Sequence, residues 1–320
     1  MNYALIFPGQ GAQEVGMGRF LSDSFRSARE VFEKADDSLD SRLSRIIFEG
    51  PEEELTRTEN AQPAILTVSI AVQTILEKEM GLSLKPSLVA GHSLGEYTAL
   101  VAAGALNLED GVRLVRLRGR LMQDAVPVGQ GSMAAILGLE PDLVTRACEE
   151  AAMGQVCSPA NFNAPGQVVI SGHSGAVGRA VEIARNLGAK KAIPLKVSAP
   201  FHCALMEPVA SSLFEAFDGC GWKTPACPLV NNASAEAITS PEAIRSALRK
   251  QTYSPVRWLE SVQAMERSGI TAYFEIGPGN VLSGLVRKCH KGAATYDTSN
   301  LENIEKTFKV LSGKGEATLG

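Results

Sequence analysis

The sequence lacks the cysteine pattern of a metal site or a disulfide framework. Its six cysteines, spread over 320 residues, include no CxxC pair and do not cluster with any of the four histidines. Cysteines without such a pattern are typical of proteins kept in a reducing compartment. We therefore expect no metal site, no disulfides and a cytoplasmic location.

Also missing are the features of secreted, membrane and nucleic-acid-binding proteins. Residues Met1 to Gln10 contain no basic stretch followed by a long apolar core, so they do not resemble a signal peptide. The uncharged stretch from Asn60 to Leu76 is interrupted by polar residues, which favours a buried helix over a membrane span. The formal net charge of −4 gives no reason to expect nucleic acid or an anionic membrane as a partner.

Short apolar runs, each ending at glycine or proline, predict the strands of a large domain. Three such runs are Tyr3 to Phe7, Leu88 to Ala90 and Ala272 to Ile276. Helical patterns fill the gaps, over Ala61 to Glu79, Glu96 to Leu106, Leu108 to Ala125, Pro241 to Gln251 and Val256 to Ser268. Strands that alternate with helices predict an α/β fold with a mostly parallel sheet covered on both faces.

The middle of the chain has a different order of elements. Strands are predicted at Met133 to Leu137, Val156 to Asn161, Gln167 to Ser171 and Ala192 to Val197, with helices at Pro141 to Ala152 and Gly175 to Leu187. This β-α-β-β-α-β order is typical of a ferredoxin-like unit. We therefore predict a small domain at residues 129–202, inserted into a discontinuous large domain of residues 1–128 and 203–320.

A candidate nucleophile lies in Gly91-His92-Ser93-Leu94-Gly95, which matches GxSxG. A predicted strand precedes the motif and a predicted helix follows it. A sharp turn between them would expose the Ser93 hydroxyl and point the amides of the helix N-terminus at a developing oxyanion. The simpler alternative is a glycine-containing turn with an incidental serine.

The general base must be one of four histidines. His92 lies beside Ser93, where neighbouring side chains diverge, His173 lies in a small-domain loop, and His290 lies near a basic helix end. His202 follows a strand and precedes a predicted helix, Cys203 to Phe217, at the seam between the two predicted domains, a preferred place for ligand sites. His202 is therefore the favoured base, with a buried structural histidine as the alternative.

One arginine of the predicted helix from Leu108 to Ala125 lies on its apolar side. Arg113, Arg116 and Arg120 share one face, whereas Arg118 points about 140° to 200° away from them at about 100° per residue. A buried guanidinium needs an anionic partner. That partner is either an acid of this chain or a substrate carboxylate, whose shape a guanidinium matches in a bidentate pair. The second possibility predicts a malonyl-type thioester as substrate.

Three other functions are compatible with parts of this sequence. A serine esterase or thioesterase would share the elbow, but it would need an acidic triad member between the nucleophile and the histidine in the chain. Asp124 and Asp142 are candidates, but neither lies at a recognisable strand end, and Arg118 would be unexplained. A dinucleotide-binding protein would have a third glycine where Glu14 follows Gly9-Gln10-Gly11. A non-catalytic scaffold would leave the combination of nucleophile, base and arginine unexplained.

The chain resembles the malonyl-CoA:acyl carrier protein transacylase family over about Tyr3 to Leu311. The resemblance rests on motifs that occur in order, which are Phe7-Pro8-Gly9-Gln10-Gly11, the serine elbow, Arg118-Gly119, Phe201-His202 and Phe274-Glu275-Ile276-Gly277-Pro278-Gly279. It implies an α/β-hydrolase-like large domain with a ferredoxin-like insert. It also implies a malonyl group moving from coenzyme A to the phosphopantetheine thiol of an acyl carrier protein, for fatty acid or polyketide synthesis.

The resemblance further implies roles for individual residues. Ser93 and His202 would act as a dyad, with His202 oriented by a backbone carbonyl near Gln251. The amides of Gln10 and Leu94 would form the oxyanion hole, and Arg118 would hold the malonyl carboxylate. Met122, Asn161 and Phe201 would line the acyl pocket, where the Phe201 ring leaves little room for an α-methyl group.

No permanently bound cofactor is expected, and the enzyme is expected to act as a monomer that meets its carrier protein transiently. Because the carrier is expected to be acidic, its docking surface should be basic. The candidate residues are Lys190, Lys191, Lys196, Arg179 and Arg185, for each of which a solvated surface residue is the alternative.

Overall fold

Two sheets organise the chain in a computed structural model that describes residues 1–195, 197 and 199–314. The strands are β1 Tyr3–Phe7, β2 Leu88–Gly91, β3 Gly131–Leu137, β4 Cys157–Ala164, β5 Gln167–His173, β6 Lys191–Pro194, β7 Leu229–Val230, β8 Ala237–Ile238, β9 Ala272–Glu275 and β10 Ala294–Asp297. The large sheet has the order β10-β9-β1-β2-β7-β8, and the small sheet has the order β4-β5-β3-β6.

Fourteen helices occur among the described residues. They are α1 Arg19–Ser24, α2 Arg26–Leu39, α3 Leu43–Glu49, α4 Glu52–Thr56, α5 Thr58–Thr74, α6 Leu94–Ala102, α7 Leu108–Asp124, α8 Pro141–Ala152, α9 Ser174–Asn186, α10 Glu207–Ala216, α11 Pro241–Gln251, α12 Trp258–Arg267, α13 Val281–Cys289 and α14 Leu301–Leu311. A π-helical turn, Ile75–Glu79, extends α5, and a 3₁₀ turn, Ala204–Met206, precedes α10. Within the described part of the chain, no helix has the length and apolar character needed to cross a membrane.

The large sheet is parallel except at its edge, where β7 and β8 pair antiparallel. Side chains of β1 alternate between two cores. Leu5 and Phe7 join the larger cluster, while Ala4 and Ile6 pack with Trp258 in the other. Burial on both faces explains why these strands are continuously apolar instead of alternating with polar residues.

The small sheet is fully antiparallel, and its β4–β5 pair has two register shifts, one between Pro159 and Asn161 and one between Phe162 and Ala164. Ala134 and Ile136 of β3 pack under α8 and α9, while Met133, on the other face, packs with Met122 of α7 and with Phe201. The predicted combination of a mostly parallel sheet and a small ferredoxin-like unit is confirmed. The second face of the small sheet therefore becomes one wall of a cavity beside the large sheet.

An isolated bridge, formed by backbone hydrogen bonds, joins β4 of the small sheet to the segment between α11 and α12. Val256, between α11 and α12, pairs with Asn161 of β4. Its amide donates to the Ala160 carbonyl over 2.8 Å, and its carbonyl accepts from the Phe162 amide over 2.9 Å. Because backbone hydrogen bonds fix both distance and direction, β4 is held at a set position relative to α11 and α12.

Candidate active site

The turn between β2 and α6 holds Ser93 in a conformation that few non-glycine residues adopt. Ser93 has φ 53° and ψ −103°, and such backbone strain persists only where the surroundings enforce it. A Cβ at Gly91 would lie 1.9 Å from the Gly95 carbonyl carbon, and one at Gly95 would lie 2.0 Å from the Phe7 carbonyl oxygen. The two glycines are therefore required for β1, β2 and α6 to approach closely enough to form the elbow.

Ser93 and His202 come together although they are far apart in the chain. The Ser93 Oγ lies 2.7 Å from His202 Nε2. On the other side of the ring, His202 Nδ1 lies 2.9 Å from the carbonyl oxygen of Gln251. A carbonyl only accepts, so Nδ1 carries the ring hydrogen and Nε2 is free to accept the serine proton. No carboxylate of the described residues lies at His202, and both Asp124 and Asp142 are exposed elsewhere.

Burial also sets the protonation state of His202. Its side chain is only slightly exposed, and desolvation, followed by the nearby charge of Arg118, lowers its pKa to about 3. Hydrogen bonding to the Gln251 carbonyl opposes this shift. The ring is therefore neutral at physiological pH, which is the form that can act as a base.

Arg118 is 1% exposed and reaches the same hydroxyl. Its Nη2 donates to Ser93 Oγ over 3.0 Å and to Gln251 Oε1 over 2.9 Å. Its Nη1 donates to Gln62 Oε1 over 2.9 Å. Among the described residues no carboxylate lies within ion-pair distance of this guanidinium. The expected acid partner within the chain is thus missing as a direct contact, and Arg118 is solvated by neutral side chains.

The Gln251 side chain connects Arg118 to the elbow. Besides accepting from Arg118, its Nε2 donates over 2.9 Å to the Ser93 carbonyl and over 2.9 Å to Glu96 Oε2. Asn232 completes the network, since its Oδ1 accepts from the Ser93 amide over 2.7 Å and its Nδ2 donates to the Gly91 carbonyl over 2.8 Å. These hydrogen bonds hold the strained backbone of Ser93 in place.

Sequence patterns did not single out Glu96, Asn232, Gln62 or the Gln251 side chain. One usable signal exists for Asn232, because it lies two residues after β7 and the carboxyl ends of parallel strands meet at one edge of a sheet. Glu96 offers another, since an acid in the helical turn after a serine elbow becomes fully buried only if it has partners. Gln62 lies inside α5 and carries no such signal.

The two predicted oxyanion amides belong to the segments that follow β1 and β2. Leu94 is the first residue of α6, where an amide has no acceptor within the helix. Gln10 lies in the turn after β1, with its Nε2 3.3 Å from Thr58 Oγ1. Gln10 lines the same cavity as Ser93, whereas Leu94 lies behind it, so only the Leu94 backbone can serve the site.

A cavity of about 540 Å³ opens onto these groups. Its lining includes Ser93, His202, Arg118 and the three predicted pocket residues Met122, Asn161 and Phe201. Met122 comes from α7, Asn161 from β4 of the small sheet and Phe201 from the segment before His202, so a helix, a strand and a loop contribute to the lining. The volume suits a small acyl group together with part of a thioester carrier.

The other histidines have structural partners. His92 Nε2 lies 2.8 Å from Asn163 Oδ1, and its ring packs near Trp258. His173 Nδ1 accepts from the Val156 amide over 2.9 Å, and His290 Nδ1 lies 3.0 Å from the Tyr273 hydroxyl. Across the described ranges, no group of three or more His, Cys, Asp or Glu side chains is placed to hold a metal ion.

Comparisons with known proteins agree on one family. Residues 4–305 match the family model described as an acyl transferase domain. The chain is 47% identical over 314 residues to the malonyl CoA-acyl carrier protein transacylase of Bacillus subtilis, covering 98% of each chain. It is also 47% identical over 286 residues to the protein of that name from Escherichia coli K12, covering 89% of this chain and 92% of the relative.

Solved structures give the same answer for the fold. An acyl-carrier-protein S-malonyltransferase from Bartonella henselae superposes with a TM-score of 0.95 at 47% identity, over 98% of this chain and 100% of that one. A malonyl-transacylase in complex with a holo type II PKS acyl-carrier protein superposes with a TM-score of 0.94 at 44% identity, over 97% and 100% of the two chains. By sequence and by fold, the chain belongs to the acyl transferase domain family.

Proposed function

We propose that the chain transfers a malonyl group from coenzyme A to the phosphopantetheine thiol of an acyl carrier protein through a malonyl-Ser93 intermediate. The observation that carries this is the buried Arg118 guanidinium, which donates to Ser93 Oγ yet has no direct carboxylate partner among the described residues. The relatives from Bacillus subtilis and Escherichia coli are malonyl CoA-acyl carrier protein transacylases by name, which supports the same reaction. Such transfer supplies extender units for fatty acid or polyketide synthesis.

Acylation begins with the proton of Ser93. His202 Nε2 takes it as Oγ attacks the thioester carbonyl, and the Gln251 carbonyl stabilises the imidazolium through Nδ1. The resulting oxyanion accepts from the Gln10 and Leu94 amides, each of which is worth on the order of 3 kcal/mol by analogy with other oxyanion donors. His202 then returns the proton to the coenzyme A thiolate as it leaves.

Arg118 selects donors that end in a second carboxylate. Gln62, Gln251 and Ser93 accept from three of its N–H groups. A guanidinium has five N–H groups, and the Nε–H has no partner among the described residues. When Oγ becomes acylated, the Nη2–H that it occupied is released to the malonyl carboxylate, and a second N–H completes a bidentate pair.

Deacylation reverses these roles. The phosphopantetheine thiol of the carrier protein gives its proton to His202 and attacks the malonyl-serine ester, and Ser93 leaves with that proton. In this scheme the chain carries no permanent cofactor, because each step uses its own side chains, coenzyme A and phosphopantetheine. We propose that the enzyme acts as a monomer, with each catalytic group supplied by this one chain.

Three residues would shape the acyl pocket. The Phe201 ring and Met122 lie beside the nucleophile on the apolar side of the cavity, and Asn161 supplies a polar wall from β4. A bulky ring at this position disfavours an α-methyl group, although a pocket discriminates one methyl by only about 1–3 kcal/mol. We propose a preference for malonyl over methylmalonyl donors.

Of the five residues predicted to form the carrier-docking surface, two are exposed lysines for which the structure gives no ion pair among the described residues. Lys190 and Lys191 are exposed at the start of β6. Arg179 instead donates to the Ala151 carbonyl at the end of α8, and Arg185 pairs with Glu182. Lys196 lies outside the described residues. We therefore propose Lys190 and Lys191 as the basic contacts for an acidic carrier.

We also propose the domain division at residues 128/129 and 202/203. Support comes from the place where the chain passes between the sheets. A Cβ at Gly131 would lie 2.4 Å from the Pro200 ring. The outgoing and returning segments thus run side by side, as the two connections of an inserted domain must.

The decisive experiment replaces Arg118 by Ala and measures kcat/KM with malonyl-CoA and acetyl-CoA. We expect the malonyl preference to fall by about 10²-fold or more, since a charge-assisted bidentate pair is lost. Arg120→Ala is the matched control, because Arg120 is exposed on the opposite face of α7. Retained malonyl preference in Arg118→Ala would refute the proposal, and rapid hydrolysis of the acyl-enzyme would favour an esterase instead.

A further inference from the structure

A second buried charge lies under the elbow. Glu96, in the first turn of α6, is 0% exposed. Its Oε2 accepts from the Asn232 amide and from Gln251 Nε2, both over 2.9 Å. Its Oε1 has no hydrogen-bond partner among the described residues. A buried carboxyl that is only half satisfied is costly, so its presence needs a physical reason.

The Gln251 side chain lies between this carboxyl and Arg118. Its Oε1 accepts from Arg118 Nη2 over 2.9 Å, and its Nε2 donates to Glu96 Oε2 over 2.9 Å. An amide has one acceptor end and one donor end, so the cation and the carboxyl together fix its orientation. Arg118 and Glu96 are thus linked through one amide, while no direct ion pair joins them.

We propose that Glu96 is the internal counter-charge of Arg118, held one amide away by Gln251 so that the guanidinium stays available to the substrate carboxylate. This inference rests on the proposed function of Arg118. Glu96 touches no reacting atom, so it is a positioning residue that acts through Gln251. It also orients Asn232, which in turn holds the Ser93 amide.

Placing Glu96 one amide away from Arg118 meets two opposing requirements, the stability of the free enzyme and the binding of the malonyl carboxylate. A bare guanidinium in the cavity wall would destabilise the empty enzyme, whereas a direct salt bridge would occupy the N–H groups that a malonyl group needs. At one amide's length the carboxylate still attracts the guanidinium electrostatically, and Arg118 in turn lowers the pKa of Glu96 against the larger raising effect of burial. The arriving malonyl carboxylate must then compete with the field of Glu96.

Glu96→Gln separates charge from hydrogen bonding. The Gln oxygen takes the place of Oε2, since the two facing N–H donors select it over the amide nitrogen, and the new NH₂ occupies the unpartnered position of Oε1. We expect KM for malonyl-CoA to fall by about fivefold to tenfold, on the scale of one partly screened charge interaction. KM for acetyl-CoA and kcat for both donors should stay within about twofold, because Gln251 and Asn232 keep their partners.

Glu96→Ala is the matched comparison. It removes both hydrogen bonds as well as the charge, so Gln251 and Asn232 lose their anchor, and kcat should fall for both donors alike. Rescue of kcat by Gln but not by Ala would identify positioning through hydrogen bonds, with donor selectivity left to the charge. An unchanged malonyl-to-acetyl ratio in Glu96→Gln would overturn the inference, while the proposed function would still stand or fall on Arg118→Ala.

The unmodified enzyme offers a second measurement that needs no variant to fold. Burial raises the pKa of Glu96 to about 7. The other titratable groups around the elbow are Arg118 on α7, Tyr97 on α6, His92 after β2 and His202. Burial lowers the pKa of His202 to about 3, so that ring stays neutral between pH 6 and 8.5, and burial also lowers the pKa values of His92 and Arg118 and raises that of Tyr97.

Glu96 is neutral below its pKa and anionic above it. The ratio of kcat/KM for malonyl-CoA to that for acetyl-CoA should therefore fall about fivefold as pH rises from 6 to 8.5. In Glu96→Gln the ratio should be flat. A ratio independent of pH in the unmodified enzyme, or an equal slope in Glu96→Gln, would contradict the inference.

Discussion

Two strands of the large sheet end in a glycine-containing turn followed by a helix, and each connection buries a glutamate. β2 leads through Ser93 to α6 and Glu96, while β9 ends at Glu275 and leads to α13. Both carboxyls are 0% exposed. Glu275 uses both oxygens, accepting from the Leu282 amide over 3.0 Å and the Ser283 amide over 2.7 Å. Glu96 uses one oxygen and faces a cation through an amide.

The backbone conformations of these two turns differ as well. After β9 the unusual conformation, φ 137°, falls on Gly277, where it costs little. After β2 it falls on Ser93, at φ 53°. The turn after β9 is relaxed, and the Glu275 carboxyl caps the N-terminus of α13. The turn after β2 is strained, and its polar groups remain available to a substrate. We infer that the β9 turn maintains the fold and the β2 turn carries the chemistry.

The sharpest test of this contrast compares one serine from each turn. Ser93→Ala should lower malonyl transfer by about 10⁴-fold or more, because the covalent intermediate can no longer form. Ser283→Ala should leave the rate unchanged, since Glu275 is held by the Ser283 backbone amide and the Ser283 hydroxyl has no partner among the described residues. Mass spectrometry of the acyl-enzyme checks both. A malonyl adduct on Ser93→Ala would place the nucleophile elsewhere.

A second test moves to the fold. Glu275→Ala leaves two buried amides of α13 without an acceptor, which should cost about 2–4 kcal/mol of unfolding free energy. Thermal or urea unfolding measures this loss. The malonyl-to-acetyl ratio should not change, in contrast to Glu96→Gln, which should change the ratio more than the stability. Altered donor preference in Glu275→Ala would abolish the distinction between the turns.

The smallest expected effect concerns pH. Because burial and Arg118 lower the pKa of His202 to about 3, the base stays unprotonated as pH falls from 7. Acylation by acetyl-CoA, which leaves the carboxylate site empty, should change by less than about twofold between pH 7 and 5.5, whereas a histidine with an ordinary pKa of about 6.5 would lose about tenfold. Single-turnover rates measure this, and a decline centred near pH 6.5 would show that His202 is not desolvated.

Much of the fold follows from local patterns. Continuous apolar runs predict β1, β2 and β9, and the β-α-β-β-α-β order predicts the small sheet. Helices α1 to α4 were not predicted; none has a side-chain cap at its start, and all but α2 have only five to seven residues. The expected helix from Cys203 begins instead as a 3₁₀ turn at Ala204, after His202 adopts φ 58°.

Some residues of the candidate site could likewise be predicted from the sequence, and others could not. Ser93 and Arg118 are visible because one lies in a motif and the other breaks a helical face. The Glu96, Asn232 and Gln251 network is not visible, because its contacts span 136 and 155 residues of sequence and depend on how three elements meet. Side-chain hydrogen bonds between distant elements leave no periodic trace in a sequence.

The bridge between Val256 and Asn161 has a consequence for how donors are admitted. Backbone hydrogen bonds on both sides of Asn161 anchor β4, so Asn161, the polar wall of the acyl cavity, is held at a fixed position relative to Ser93. The acyl cavity then keeps one shape in both half-reactions. Coenzyme A and the phosphopantetheine arm of the carrier must both fit this shape, so the same cavity selects the malonyl donor and the acceptor thiol.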